Sequence, residues 1–157
     1  MIDRVLSLLR ERRYSELRAL LTDLHVADIA DLFSEIEDRE LMLRLFRLLP
    51  KDSAAETFSY MDADIQQSII ESITDVELKS ILDDMFLDDC VDLIEEMPAN
   101  VVQRVLRNSS PENRRLINQY LQYPEDSAGS LMTIEYVDLH DYFTVRKAMD
   151  YIRRTGI

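Results

Sequence analysis

Apolar residues recur at steps of three and four along most of this chain, the spacing of a helix with one buried face. Both glycines, Gly129 and Gly156, lie near the end, so the first 128 residues contain none. The pattern predicts short helices near 2–12, 15–23, 26–36, 39–49, 53–61, 64–73, 76–85, 88–97, 99–108 and 111–122. Ser15, Asp38, Asp52 and Thr74 or Asp75 stand where N-caps belong, and Ser110 precedes Pro111 at a first helical position. Pro50, Pro98 and Pro124 fall at the predicted breaks, where a missing N–H and a fixed φ stop a helix.

The helices repeat imperfectly. "DIADLFSEI" (28–36), "SAAETFSYM" (53–61) and "DCVDLIEEM" (89–97) align without gaps. Each has small or apolar residues at positions two and three, an acid at position three or four, and apolar residues at six and nine. Helix pairs this short cannot bury their apolar faces alone, so the expectation is an all-α stack. It predicts a right- or left-handed superhelix of about ten short helices, an armadillo-like solenoid.

After Pro124 the pattern changes. "EDSAGSLMT" (125–133) reads as a turn-rich connector, "IEYVDL" (134–139) alternates as a strand, and "TVRKAMDYIRR" (144–154) is an amphipathic helix capped by Thr144. One strand and one helix cannot close a core, so a second domain begins here and is cut short. The expected division is 1–124, 125–133 and 134–157.

Composition narrows the function classes. At 157 residues and 46% hydrophobic, the chain can bury a real core. No apolar run approaches the length of a membrane span, and the amphipathic start is no signal peptide, so a cytosolic chain is expected. The single Cys90 permits no internal disulfide. A net charge of −13 argues against nucleic acid as a partner. Residues 51–100 alone hold 14 acidic and 2 basic side chains, so nearly all of the excess sits in the middle third.

No catalytic constellation accompanies that charge. His25 and His140 stand far apart with no zinc-ligand spacing, which leaves them capping or surface roles. Cys90 aligns with Phe86, Ile94 and Met97 as a core residue rather than a nucleophile. The acids are different. On one helix, Asp88, Asp92, Glu95 and Glu96 form a stripe, and Asp83 and Asp84 end the helix before it. Like charges at that spacing cost about 0.2–0.5 kcal/mol per pair. Either solvent screens the face, with Asp88 as an N-cap, or a divalent cation with oxygen ligands reverses the sign.

Three stretches, "LLPKDSAAETFSYM" (48–61), "MFLDDCVDLIEEMP" (85–98) and "YPEDSAGSLMTIEYVDL" (123–139), together resemble the cytosolic part of the MgtE family of magnesium transporters and channels. The resemblance spans essentially the whole chain, and the junction stretch is the most specific part of it. It implies a superhelical N domain followed by the start of the first cystathionine-β-synthase (CBS) domain. It also implies a homodimeric transporter whose second CBS domain, connecting helix and membrane pore lie outside this chain. In that family Mg²⁺ bound between the N domain, the CBS domains and the connecting helices favours the closed pore. Carried over by motif, the Mg²⁺ ligands are Glu56, Asp88 and Asp92, on the cytoplasmic face of the cell membrane. The sequence departs from the family at Ser130, where a second glycine is common. The resemblance implies no enzymatic activity, and the alternative function is a helical-repeat scaffold with a solvated acidic face.

Overall fold

The computed structural model describes residues 1–124, 127–133 and 136–155, with the backbone alone at 51 and 52. Ten helices fill the first 120 residues: α1 (Ile2–Arg10), α2 (Tyr14–Thr22), α3 (Val26–Ser34), α4 (Arg39–Phe46), α5 (Lys51–Ser59), α6 (Ala63–Ser72), α7 (Asp75–Asp84), α8 (Leu87–Glu96), α9 (Ala99–Asn108) and α10 (Pro111–Tyr120). A single turn, α11 (Ala128–Leu131), and a last helix, α12 (Val145–Thr155), follow.

From α3 to α10 each helix packs mainly on the one two places along. Helix α3 meets α5, α5 meets α7 and α7 meets α9, while α4 meets α6 and α8 meets α10. Helix α1 closes the first end against α2 and α4. This interleaving is the stack the repeat predicts, because each short amphipathic helix finds apolar surface only on its neighbours. Phe33, Phe46 and Phe58 join three helices edge to face, with ring centroids 6.3 and 6.0 Å apart.

Polar contacts fix the corners. Arg104 of α9 donates to the carbonyl oxygens of Ile70 and Ile73 (2.6 Å to the latter), at the end of α6, and to Asp75 Oδ1 (2.9 Å) at the start of α7. It therefore satisfies part-buried helix-end carbonyls and pins three helices together. Arg107 adds a 3.3 Å contact to the same Asp75, whose carboxyl is held below the usual range chiefly by Arg104. Glu77 closes a capping box with Thr74 and accepts from Arg47, the C-cap of α4, at 2.7 and 3.2 Å. The Arg47 guanidinium, with help from Thr74, holds the Glu77 carboxyl down at about 2 against the cost of partial burial.

The predicted caps Asp38, Thr74 and Ser110 all accept backbone N–H bonds. His25 also proves to be a cap, its Nδ1 accepting from Ala27 N–H at 3.2 Å. Ser15 is not one, because α2 already begins at Tyr14 behind Arg13. Asp52 lies inside α5, whose N-cap position is Pro50. The reason at Ser15 is a Schellman end to α1: Arg12, at φ 59°, donates to Leu9 O and Arg13 donates to Leu8 O.

The expected strand is not found among the described residues. Residues 136–139 run irregular, and Ile134 and Glu135 lie outside the description. A strand needs a partner to hydrogen-bond, and no neighbouring strand is present among the described residues to provide one. The connector is more ordered than predicted, since Ser127 caps α11 within it.

Candidate metal centre

Helix α8 starts one residue earlier than the sequence suggests, with Phe86 at its N-cap position and extended (φ −65°, ψ 151°). Two corrections follow. Phe86 leaves the helical line and is exposed, while Cys90, Ile94 and Met97 are buried as expected. Asp88 is in the first turn of α8 and not its N-cap, so it does not spend its carboxylate on capping.

The consequence for Asp88 is unusual. Its Oδ1 is buried and has no hydrogen-bond partner among the described residues. A carboxylate oxygen cut off from both water and donors is destabilised. One turn on, Asp92 is exposed at its rim, yet its carboxyl is pushed above the usual range, first by burial and then by the charge of Asp88. The two acids thus feel each other across i, i+4, and among the described residues neither has an ion pair. Asp83 is relieved instead by Lys79, at 2.8 Å.

A polar cavity of about 370 Å³ lies beside Asp92, lined by Asp62, Asp89 and Glu96 together with Ser59 and Gln66. Next to it, a groove of about 330 Å³ is lined by Glu56, Ser59, Tyr60, Phe86 and Asp89. Glu56 of α5 therefore faces Asp89 across this groove. The structure places Asp88 and Asp92 one turn apart on α8 and Glu56 across a groove from Asp89, but among the described residues no three ligand groups converge closely enough to hold a metal ion.

Asp62 and Asp89 were not candidates from sequence. Asp62 takes the N-cap position of α6 without capping it, and accepts from Ser34 Oγ at 3.3 Å across to α3. Only its place before a helix hinted at it, and that signal points to capping.

The donor set is oxygen-only, suited to a hard cation such as Mg²⁺, which keeps several waters and takes only one or two carboxylates. Asp88 and Asp92 fit one half of such a site: an unpartnered buried oxygen beside a carboxylate whose charge is held uneasily. The other half is not supplied by the described residues.

A glycine-poor stack of interleaved short helices, with an acidic edge at which Asp88 and Asp92 find no cationic side chain among the described residues, defines a helical-repeat domain. The chain belongs to the MgtE intracellular N domain family, which matches residues 24–126. It is 32% identical over 152 residues to the magnesium transporter MgtE of Thermus thermophilus, covering 94% of this chain and 33% of that protein. To the magnesium transporter MgtE of Bacillus subtilis it is 24% identical over 149 residues, covering 95% and 33%. The chain thus spans about a third of the length of the curated relatives it matches. Its fold matches a crystal structure of the cytosolic domain of the Mg²⁺ channel MgtE in complex with ATP, with TM-score 0.82 and 29% identity, covering 99% of this chain and 64% of that one. The soluble part of a magnesium transporter, 23% identical at TM-score 0.84 and covered over 61% of its length, shows the same fold. No helix among the described residues is long and apolar enough to cross a membrane.

Proposed function

We propose that this chain is the Mg²⁺-sensing cytosolic part of a magnesium transporter, and that Asp88, Asp92 and Glu56 are its contribution to a regulatory Mg²⁺ site. The observation that carries the reading is the buried, unpartnered Oδ1 of Asp88, one helical turn from an Asp92 carboxyl raised by that same neighbour. Bound Mg²⁺ supplies the positive charge that turns this repulsion into attraction. The remaining oxygens belong to the CBS domains and connecting helix of the same full-length, homodimeric protein, with residues 134–157 opening the first CBS domain. The bare apolar side of α12 supports that division, since Val145 is 82% exposed and the helix buries no residue.

With the cation absent, the acidic edge at Glu56, Asp88, Asp89 and Asp92 repels other acidic surfaces and the domains stand apart. With it present they close, and the pore is held shut. A full swing from 1:99 to 99:1 needs about 5.5 kcal/mol of differential binding, which several weak sites acting jointly supply more readily than one.

Titrating the chain with Mg²⁺ while following side-chain carboxyl ¹³C resonances tests this. Asp88, Asp92 and Glu56 are expected to shift with one common midpoint, well beyond Asp84 and Glu112. Equal shifts at all acids would leave the solvated acidic face of a scaffold as the better reading.

A further inference from the structure

Gly129 lies in α11, and its φ is not positive, so it does not supply left-handed backbone freedom. Within a helical turn alanine is the better residue on conformational grounds. What excludes a side chain is a close approach. A Cβ on Gly129 would stand 2.6 Å from Cδ1, 2.7 Å from Cγ and 3.0 Å from Cε1 of Tyr123, inside the distance that real Cβ contacts keep.

The ring has little room to yield. Tyr123 sets its ring edge-to-face on Tyr120, with centroids 5.8 Å apart at 84°. Its Oη accepts from Gln119 Nε2 at 3.4 Å, and its backbone N–H donates to Tyr120 O at 2.9 Å. Tyr120 itself is 4% exposed and belongs to the core of the stack. On the other side of the contact α11 is tied by short bonds. Ser130 N–H donates to Ser127 Oγ (3.2 Å), Ser130 Oγ donates to Ser127 O (2.9 Å), and Leu131 N–H donates to Ser127 O (3.3 Å).

From this packing we propose that Gly129 is a positioning residue: α11 is seated on Tyr123, and this seat fixes where the chain beyond Leu131 leaves the helical stack. The connector then behaves as a joint with a defined resting position, coupled through Tyr123 and Tyr120 to the core, and not as a free tether. The seat stands whether or not the acidic edge takes a cation, because none of its residues is among the candidate ligands.

Amide hydrogen exchange followed by NMR on the 157-residue chain tests it. In the wild type, Gly129 Hα is expected to show a Tyr123 ring-current shift and an NOE to the Tyr123 ring. Gly129→Ala is expected to speed exchange at Ser130 and Leu131 about tenfold or more while α1–α9 keep their protection, as befits a local opening. Tyr123→Phe, which keeps the ring, is expected to retain wild-type exchange. In a Tyr123→Ala background Gly129→Ala is expected to add nothing, because the two act through one contact. Absence of the NOE in the wild type, unchanged exchange in Gly129→Ala, loss of protection in Tyr123→Phe, or additive effects of Gly129→Ala and Tyr123→Ala would each overturn the seat.

Discussion

Replacing Asp92 by asparagine asks directly whether the acidic edge is a cation site. Asp92 sits one turn from Asp88 on α8, and its carboxyl is raised first by burial and then by that neighbour. A carboxyl whose folded-state pKa is raised takes up its proton at higher pH in the folded chain than in the unfolded one. Its charge therefore costs stability above the raised value, and the cost vanishes below the unfolded value of about 3.9. Relief of one like-charge i, i+4 pair is worth about 0.2–0.5 kcal/mol. For a domain of this length that is roughly 0.5–1.5 °C in Tm, so metal-free Asp92→Asn is expected to melt slightly above the wild type at pH 7 and level with it near pH 3. Mg²⁺ has the opposite bias. A half-site with a dissociation constant of about 1 mM, at 10 mM ion, adds roughly 1.4 kcal/mol, or about 4 °C. The wild type should gain this over a sodium chloride control of equal ionic strength, and Asp92→Asn should lose most of it. Asp84→Asn, at the exposed end of α7, should keep it. Two outcomes refute the reasoning: a variant that melts below the wild type without metal, or one that keeps the full Mg²⁺ increment.

Three further outcomes follow from the packing. Thr57 is fully buried and its Oγ1 has no partner among the described residues, so Thr57→Val, which removes the stranded hydroxyl at nearly constant volume, should raise urea-derived stability by about 1 kcal/mol. Arg104→Ala strands two helix-end carbonyls and loosens Asp75, and should cost about 2–3 kcal/mol in the same assay, with Arg104→Lys recovering less than half because a single ammonium cannot reach all three acceptors. Glu77 has a depressed folded-state pKa of about 2, so its contribution is complete above its unfolded value and is lost as the pH falls towards 2. With its side chain about a third exposed, that contribution is reduced by screening to about 1 kcal/mol, and Glu77→Gln should flatten the acid limb of a melting-temperature profile by that amount.

The ten helices of the stack were legible because the helical period is uninterrupted by glycine and each apolar face is complete. Caps were legible where a side chain does the capping, as at Asp38, Thr74 and Ser110. They were hidden where backbone alone ends a helix. Arg12 takes a left-handed conformation usually given to glycine, and nothing in its identity announces it. The same one-residue uncertainty at the start of α8 decided two further points. It turned Phe86 outward, and it released Asp88 from capping, leaving one of its carboxylate oxygens buried without a donor among the described residues. Asp62 and Asp89 were hidden for another reason. They join Asp92 and Glu56 only through the packing of α5 and α6 beside α8, a contact between segments some 30 residues apart that no local pattern records.

The repeat also explains how such an edge coexists with a stable stack. In the three aligned segments the sixth position holds Phe33, Phe58 and Ile94, and the ninth Ile36, Met61 and Met97, all buried. The fourth holds Asp31, Glu56 and Asp92, all exposed. Burial and charge thus occupy separate registers of one helical period, so an acid at the fourth position costs the core nothing. What sets α8 apart is the acid one turn earlier, Asp88, whose Oδ1 is buried without a donor among the described residues. The first copy has Ala27 there, whereas the second has Asp52 and the third Asp88, each pairing an acid with the outward acid one turn on. The stack does not need that pair, since Cys90, Ile94 and Met97 already bury the helix. A charge arrangement that opposes folding locally, on a face the core leaves free, is the feature on which the proposed cation site rests.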